Sequence, residues 1–322
     1  MRRREFIAGL GAAALAPRAS RAQQPGRNYR LGLLLPTQQN SPGMAAFFDE
    51  LRLSGFVVGQ NLDIIPGGLD VRRDQIDAKV ALVLKAAPDA IVAGPDRYTR
   101  ILQAATKTIP IIAMSEDMVL EGLVASLSRP GGNTTGISLQ SPELDGKRQD
   151  LLIEAVPGVR RIATLIDSTR TAQEHVRKLQ DAGSARGVEV AVFAAGTREA
   201  VIPAIDAAKT SGAGAVNFLA TPLFINNARS FLDHVVALRL PAMYQWPETA
   251  EEGGLLGYGP RFTGVFRQRA RLVARVLRGA KPADLPVEQP TLFELVIKLK
   301  TAKAIGHEIP AGLVLRADKL IE

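Results

Sequence analysis

Residues 89–115 have the sequence DAIVAGPDRYTRILQAATKTIPIIAMS. Two short apolar runs, Asp89–Ala93 and Pro110–Met114, lie on either side of an amphipathic stretch, Arg97–Lys107. Strands that are apolar along their whole length are buried on both faces, as in parallel sheets covered by helices. This segment therefore predicts a strand–helix–strand unit of a parallel sheet.

The same alternation continues on both sides of this unit. Before it, we predict strands at Arg30–Pro36 and Leu62–Ile65 and helices at Gly43–Leu53 and Asp74–Ala86. After it, we predict a short helix at Leu120–Leu127, and then the turn-rich sequence RPGGN at 129–133 interrupts the pattern.

A second series then begins. We predict helices at 143–155, 172–185, 200–209 and 224–238, strands at 161–166, 188–193 and 215–219, and two short strands around Met243 and Leu256. A helix at Val265–Leu277 and a strand at Thr291–Leu299 complete the chain.

Two similar series predict an α/β fold with two doubly wound parallel-sheet lobes joined by hinge crossovers. We assign residues 28–138 and about 263–282 to lobe 1, and residues 139–262 and about 283–322 to lobe 2. Ligands of open parallel sheets bind outside the carboxyl ends of the strands. Two facing lobes therefore predict a cleft that closes over one small molecule.

The first 22 residues, MRRREFIAGLGAAALAPRASRA, have a basic head, a short apolar middle and a small-residue end. This pattern is typical of an export signal, and the arginines before Phe6-Ile7 resemble the twin-arginine type. The alternative is a basic terminal helix of a cytoplasmic protein. We predict cleavage near Ala22 and, since the chain has no cysteine to carry a lipid, an unanchored periplasmic protein.

The charge of the chain argues against nucleic-acid and membrane-surface partners. The net charge is +8, of which residues 1–22 carry +4 through five arginines and one glutamate. The remaining +4 is spread over about 300 residues, without basic runs that contain aromatic residues. We expect a monomer that binds a small molecule.

Motifs for catalysis, metals and cofactors are absent from the sequence. His175, His234 and His307 lack metal-ligand spacing, and neither GxSxG nor GxxxxGK[ST] occurs. We therefore predict that the protein binds no metal ion or cofactor and is not an enzyme. Glu116-Asp117 follows a predicted strand and is an alternative acid/base pair, although a helix cap by Asp117 is the favoured interpretation.

Polar side chains gather where the predicted strands end, which points to a binding site at that edge. Hydroxyl groups beside helix N-termini suit a carboxylate or phosphate, although ordinary helix caps have the same pattern. Tyr244, Trp246 and Tyr258 lie close together in the sequence and suit an aromatic wall, with core packing as the alternative. The predicted ligand-binding residues are Thr37, Gln38, Pro95, Asp96, Arg97, Ser115, Asp117, Ser168, Thr221, Tyr244, Trp246 and Tyr258.

Several long motifs resemble one known family. These are GLVASLSRPGGNTTG at 122–136, EAVPGVRR at 154–161, EGGLLGYGP at 252–260 and LRGAKPADLPVEQPTLFELVIKLKTAKAIG at 277–306. They resemble the substrate-binding proteins of ABC transporters. The resemblance implies a type-I periplasmic-binding-protein fold, an inner-membrane ABC permease as partner, and amino acids, aromatic ones among them, as ligands.

Two segments depart from the family pattern. Residues 94–98 (GPDRY) stand where a small-residue turn is usual, and Asp117-Met118-Val119 stands where Asp-Pro-Val is common. The first change places Arg97 where it would pair with a ligand carboxylate, and the alternative is that Arg97 only pairs with Asp96 or faces solvent. Our hypothesis is the solute-binding component of an ABC importer for a small carboxylate. The alternatives are a sensory module for a membrane receptor and a small-molecule hydrolase that uses Glu116, Asp117 or Asp167.

Overall fold

A computed structural model describes residues 26–322 as two α/β lobes. The predicted export signal lies outside these residues. Within them, no helix is long and apolar enough to cross a membrane.

Within residues 26–322, the first lobe is a sheet of five parallel strands in the order β2-β1-β3-β4-β5. The strands are β1 (Tyr29–Leu34), β2 (Leu62–Ile64), β3 (Ala90–Ala93), β4 (Ile111–Ser115) and β5 (Thr134–Ser138). The connecting helices are α1 (Pro42–Leu53), α2 (Ile76–Lys85) and α3 (Asp96–Ala105). The unit at residues 89–115 forms β3, α3 and β4, and all of β3 is buried as its apolar sequence requires.

The second lobe, over the same described residues, is a sheet of seven strands in the order β12-β11-β10-β9-β8-β6-β7. The strands are β6 (Arg161–Asp167), β7 (Glu189–Ala195), β8 (Ala215–Phe218), β9 (Ala242–Tyr244), β10 (Leu256–Gly259), β11 (Glu294–Lys298) and β12 (Lys319–Ile321). The helices up to β10 are α4 (Ser141–Ala155), α5 (Gln173–Ser184), α6 (Val201–Thr210), α7 (Pro222–Ile225), α8 (Leu232–Ala237) and α9 (Pro247–Glu252). The β10–β11 pair is antiparallel and the other pairs are parallel. Together the two lobes confirm the predicted fold class.

The last part of the chain ties the lobes together. Helix α10 (Phe262–Leu277) follows β10 but packs against α1 and the first sheet. The backbone amides of Val287 and Glu288 then donate to carbonyls of the first lobe. Residues 283–288, which we assigned to lobe 2, therefore contact the first lobe. The chain returns to the second lobe at β11 and continues through α11 (Leu299–Ile305), α12 (Ala311–Val314) and β12.

The predicted helix at Leu120–Leu127 is wrong, because this stretch consists of turns. The Asp117 carboxylate accepts hydrogen bonds from the backbone amides of Val119 and Leu120, which closes a tight turn. Gly122 then adopts a φ of +65°, a left-handed conformation that ends any helix.

The single helix predicted at 224–238 is also wrong. The segment instead contains α7, a 3₁₀ turn at Ala228–Ser230 and α8. The Asn227 side chain donates to the Leu223 carbonyl, and the Ser230 hydroxyl donates to the Asn227 carbonyl. Such local side-chain bonds compete with the helical backbone pattern.

Candidate functional site

The carboxyl ends of the strands in the two lobes face a shared cavity of about 80 Å³, which we call the interlobe cavity. Its lining includes Thr37, Asp96, Ser115 and Arg269 from the first lobe and Arg170, Asn226 and Trp246 from the second. Residues distant in sequence meet here because neighbouring parallel strands end at the same edge of a sheet.

Five of the predicted ligand residues line this cavity, namely Thr37, Pro95, Asp96, Ser115 and Trp246. Asp96 is the first residue of α3, directly beyond β3, and is almost completely buried. Ser115 ends β4, and its buried Oγ has no hydrogen-bond partner. An unpartnered hydroxyl at the cavity edge is available to a ligand, because buried polar groups are otherwise hydrogen-bonded.

An aromatic cluster forms one wall of the cavity. The Trp246 and Phe262 rings meet edge to face with centroids 5.1 Å apart, and Phe262 lies 4.6 Å from Phe266. The indole Nε1 of Trp246 is buried without a hydrogen-bond partner. Leu35 and Met114 extend the apolar surface, so most of the wall suits an apolar or aromatic ligand body.

Arg269 of α10 also lines the cavity, and the sequence analysis did not identify it. Its side chain is completely buried, and its Nη2 donates to the carbonyls of Ala93 and Ile112. Burial lowers the pKa of its guanidinium to about 9, so the group stays charged at neutral pH. One feature of the sequence could have identified Arg269. It lies on the apolar face of α10, four residues after Val265 and three after Phe266, where a charged residue is unusual.

Arg170 joins the two lobes across the cavity, a contact that we call the interlobe bridge. Its Nη2 donates to the Asp96 carboxylate and lies 3.6 Å from the Glu121 carboxylate. Burial by itself would lower the pKa of the Arg170 guanidinium. The attraction of the nearby carboxylates, Asp96 above all, outweighs this effect, and the net result is a raised pKa. Gln245 of the second lobe also donates to the Glu116 carboxylate at 2.9 Å. These contacts join the two lobes across the cavity.

A second, outer cavity of about 220 Å³ adjoins the first through Glu116 and Arg170. Two predicted residues, Asp117 and Thr221, line it. One Asp117 oxygen is occupied by the local turn, as the cap interpretation expects, whereas the buried Thr221 Oγ1 has no partner. Asp145 lies on the same surface and binds Arg148 at 2.8 Å, which neutralises it.

The other five predicted residues lie outside both cavities. Gln38, Arg97 and Ser168 are exposed to solvent. Tyr244 is buried in the core of the second lobe, where its ring stacks on Phe218 at 5.0 Å and burial raises its pKa. Tyr258 is half-buried on β10. The structure does not bring these five side chains to either cavity: Tyr244 packs in the core of the second lobe, and Arg97, in the first turn of α3, faces solvent.

A metal site is not indicated by this geometry. Among residues 26–322, no group of three histidine, aspartate or glutamate side chains is placed to hold a metal ion.

Comparison with protein families settles the class of the chain. The family described as ABC transporter substrate binding protein matches residues 73–321. The chain belongs to this family. Its members bind a small-molecule ligand for an ABC permease and generally work outside the cytoplasm.

One curated relative is a tyrosine-binding protein of Clostridioides difficile (strain R20291). It is 27% identical over 209 residues, which cover 63% of this chain and 59% of the relative. This chain therefore matches somewhat more than half of the relative's length.

Solved structures share the fold. An ABC domain from Streptococcus pneumonia in complex with L-Trp has a TM-score of 0.79 and 21% identity, covering 91% of this chain and all of that one. A conserved domain protein from Vibrio cholerae has a TM-score of 0.81 and 22% identity over the same shares. The resemblance to ABC transporter substrate-binding proteins and the type-I periplasmic-binding-protein fold are thus confirmed.

Proposed function

We propose that this protein is the periplasmic solute-binding component of an ABC importer, and that it encloses a small carboxylate-bearing ligand with an apolar or aromatic body. The observation that carries this proposal is the interlobe cavity itself. Both lobes contribute to it, its walls are mostly apolar, and three residues that line it, Ser115, Trp246 and Arg269, have buried polar atoms without hydrogen-bond partners. Such a site combines an apolar body with a few orienting polar groups.

The aromatic wall supports the choice of ligand body. Trp246, Phe262 and Phe266 offer ring faces and edges that favour stacked or edge-to-face contacts with another ring. The names of two similar proteins, one tyrosine-binding and one in complex with L-Trp, agree with an aromatic amino acid or a related aromatic acid.

The cellular role rests on the sequence of the amino terminus and on the family. A twin-arginine export signal at residues 1–22 would deliver a folded protein to the periplasm. The mature protein would work as a periplasmic monomer that passes its ligand to an inner-membrane permease.

Thermal unfolding with candidate ligands tests the proposal. L-tryptophan, L-tyrosine, L-phenylalanine and phenylacetate are compared with glucose, which has no carboxylate. A ligand at a hundredfold excess over its Kd stabilises the protein by about 2.7 kcal/mol, which is readily seen as a rise in Tm. Stabilisation by the sugar and not by the carboxylates would contradict the proposed ligand class. Recovery of the added compound unchanged after denaturation distinguishes binding from hydrolysis.

A further inference from the structure

Arg269 is a buried cation whose charge is not balanced by the protein. Its side chain has no measurable exposure, and its Nε and Nη1 atoms have no hydrogen-bond partner. Two backbone carbonyls, of Ala93 and Ile112, accept from Nη2 alone. Within residues 26–322, no carboxylate forms an ion pair with it. A guanidinium in an apolar interior is costly unless an anion and hydrogen bonds compensate it.

The acidic groups around the cavity already have partners. Asp96 pairs with Arg170, which also lies near Glu121. Glu116 accepts a hydrogen bond from Gln245. The carboxylates of the described residues therefore do not pair with Arg269, and the interlobe cavity, which Arg269 lines, is the space in which an external anion could reach it.

The surroundings of Arg269 define the kind of anion. Phe262 and Phe266 precede it on the same helix, and Trp246 packs on Phe262. An ion pair is strong in such an apolar setting, but a second negative charge would be buried without a cation. The unpartnered hydroxyl of Ser115 and indole N–H of Trp246 are further donors in the same cavity. The donor set matches one carboxylate group attached to an apolar body.

We propose that Arg269 binds the ligand's carboxylate through its Nε and Nη1 groups, and that the site thereby selects apolar or aromatic monocarboxylates over their uncharged amides and over dicarboxylates. This inference rests on the proposed function and adds the residue that recognises the charge. Arg269 thus takes the role of carboxylate partner that we predicted for Arg97, which is exposed and lies outside the cavity.

Isothermal titration of the full mature protein with matched probes tests the inference. The probes are L-tryptophan and phenylacetate, their amides L-tryptophanamide and phenylacetamide, and phenylsuccinate as a dicarboxylate. We expect at least one of the two carboxylates to bind, and its amide and phenylsuccinate to bind at least tenfold more weakly. This comparison needs no variant, so it holds even where a substitution at Arg269 prevents folding.

Two variants and a control then locate the effect. Arg269→Gln should weaken carboxylate binding more than tenfold and amide binding by a much smaller factor, and Arg269→Lys should restore part of the carboxylate affinity. Arg267→Gln is the matched control, because Arg267 lies two residues earlier on α10 and is exposed to solvent. Its affinities should equal those of the wild type.

The outcomes separate the two proposals. Binding of carboxylate and amide within threefold of one another, or full carboxylate affinity in Arg269→Gln, would overturn the role of Arg269 and leave the proposed function standing. Failure of every carboxylate and amide to bind would overturn the proposed ligand class and this inference with it.

Discussion

Replacing Arg170 with glutamine removes the interlobe bridge while keeping a polar side chain of moderate length. Arg170 follows β6 in the second lobe, whereas Asp96 and Glu121 belong to the first. The side chain of Arg170 is 24% exposed and that of Asp96 is 3% exposed, so solvent screens their contact only weakly. Because the contact joins two lobes, it exists only when the lobes are together.

The magnitude follows from this geometry. A hydrogen bond to a charged group contributes about 1.5–3 kcal/mol, and the longer contact to the partly exposed Glu121 adds little. When the lobes separate, Arg170 and Asp96 become hydrated, so the substitution destabilises the closed form relative to the open one by about this amount. Ligand affinity should therefore fall by up to about 150-fold in Arg170→Gln, and by less the more the unliganded protein is already closed.

The assay combines titration of L-tryptophan with small-angle X-ray scattering of the unliganded protein. Arg170→Gln should raise Kd and increase the radius of gyration, and Asp96→Asn combined with it should cost less than the sum of the two single substitutions. Arg177→Gln is the control, since Arg177 is exposed on α5. An unchanged Kd and radius in Arg170→Gln would refute the bridge as a closure contact.

Three further substitutions test the packing and the buried charges. Gly68→Ala would place a Cβ 1.6 Å from the carbonyl oxygen of Leu33, and we expect the free energy of unfolding in urea to fall by about 3 kcal/mol. A fall no larger than that caused by a surface substitution would contradict this close approach. Gly146→Ala adds a methyl group inside α4 with nothing within 4 Å, so it should stabilise by about 0.5–1 kcal/mol in the same assay. Burial raises the pKa of Glu248, so its charged form destabilises the fold as pH rises above the ordinary value. Glu248→Gln should therefore raise Tm at pH 7–8 by an amount that shrinks towards pH 4, whereas Glu252→Gln, at an exposed glutamate, should show no such trend. A pH-independent gain would argue against the charge as its cause.

Much of the fold was predictable because it depends on local pattern. The strands predicted at 89–93 and 110–114 form β3 and β4, each displaced by at most one residue, and α1 begins within one residue of the expected position because Ser41 caps it and Pro42 follows. Strand β5 was missed, since TTGIS has no apolar run. It is a strand because it pairs with β4, and its Gly136 lets the two backbones approach closely.

The site was predictable only in part. Thr37, Asp96 and Ser115 follow strands of one sheet, and sheet geometry alone brings them to one edge. Arg97 and Tyr244 have equally suitable chemistry, yet one faces solvent and the other the core. Which way a side chain points at a strand end or in the first turn of a helix depends on contacts made by the rest of the fold.

Hydrophobic periodicity and strand direction are local properties, and they were enough to predict the fold class and the sheet edge at which the interlobe cavity lies. The tertiary structure sets which charges meet there. Helix α10 leaves the second lobe, packs on the first, and places Arg269 beneath β3 and β4, more than 150 residues away in sequence. Likewise Arg170 finds Asp96 only when the lobes come together. Both arrangements arise from packing between distant segments, which no local pattern records.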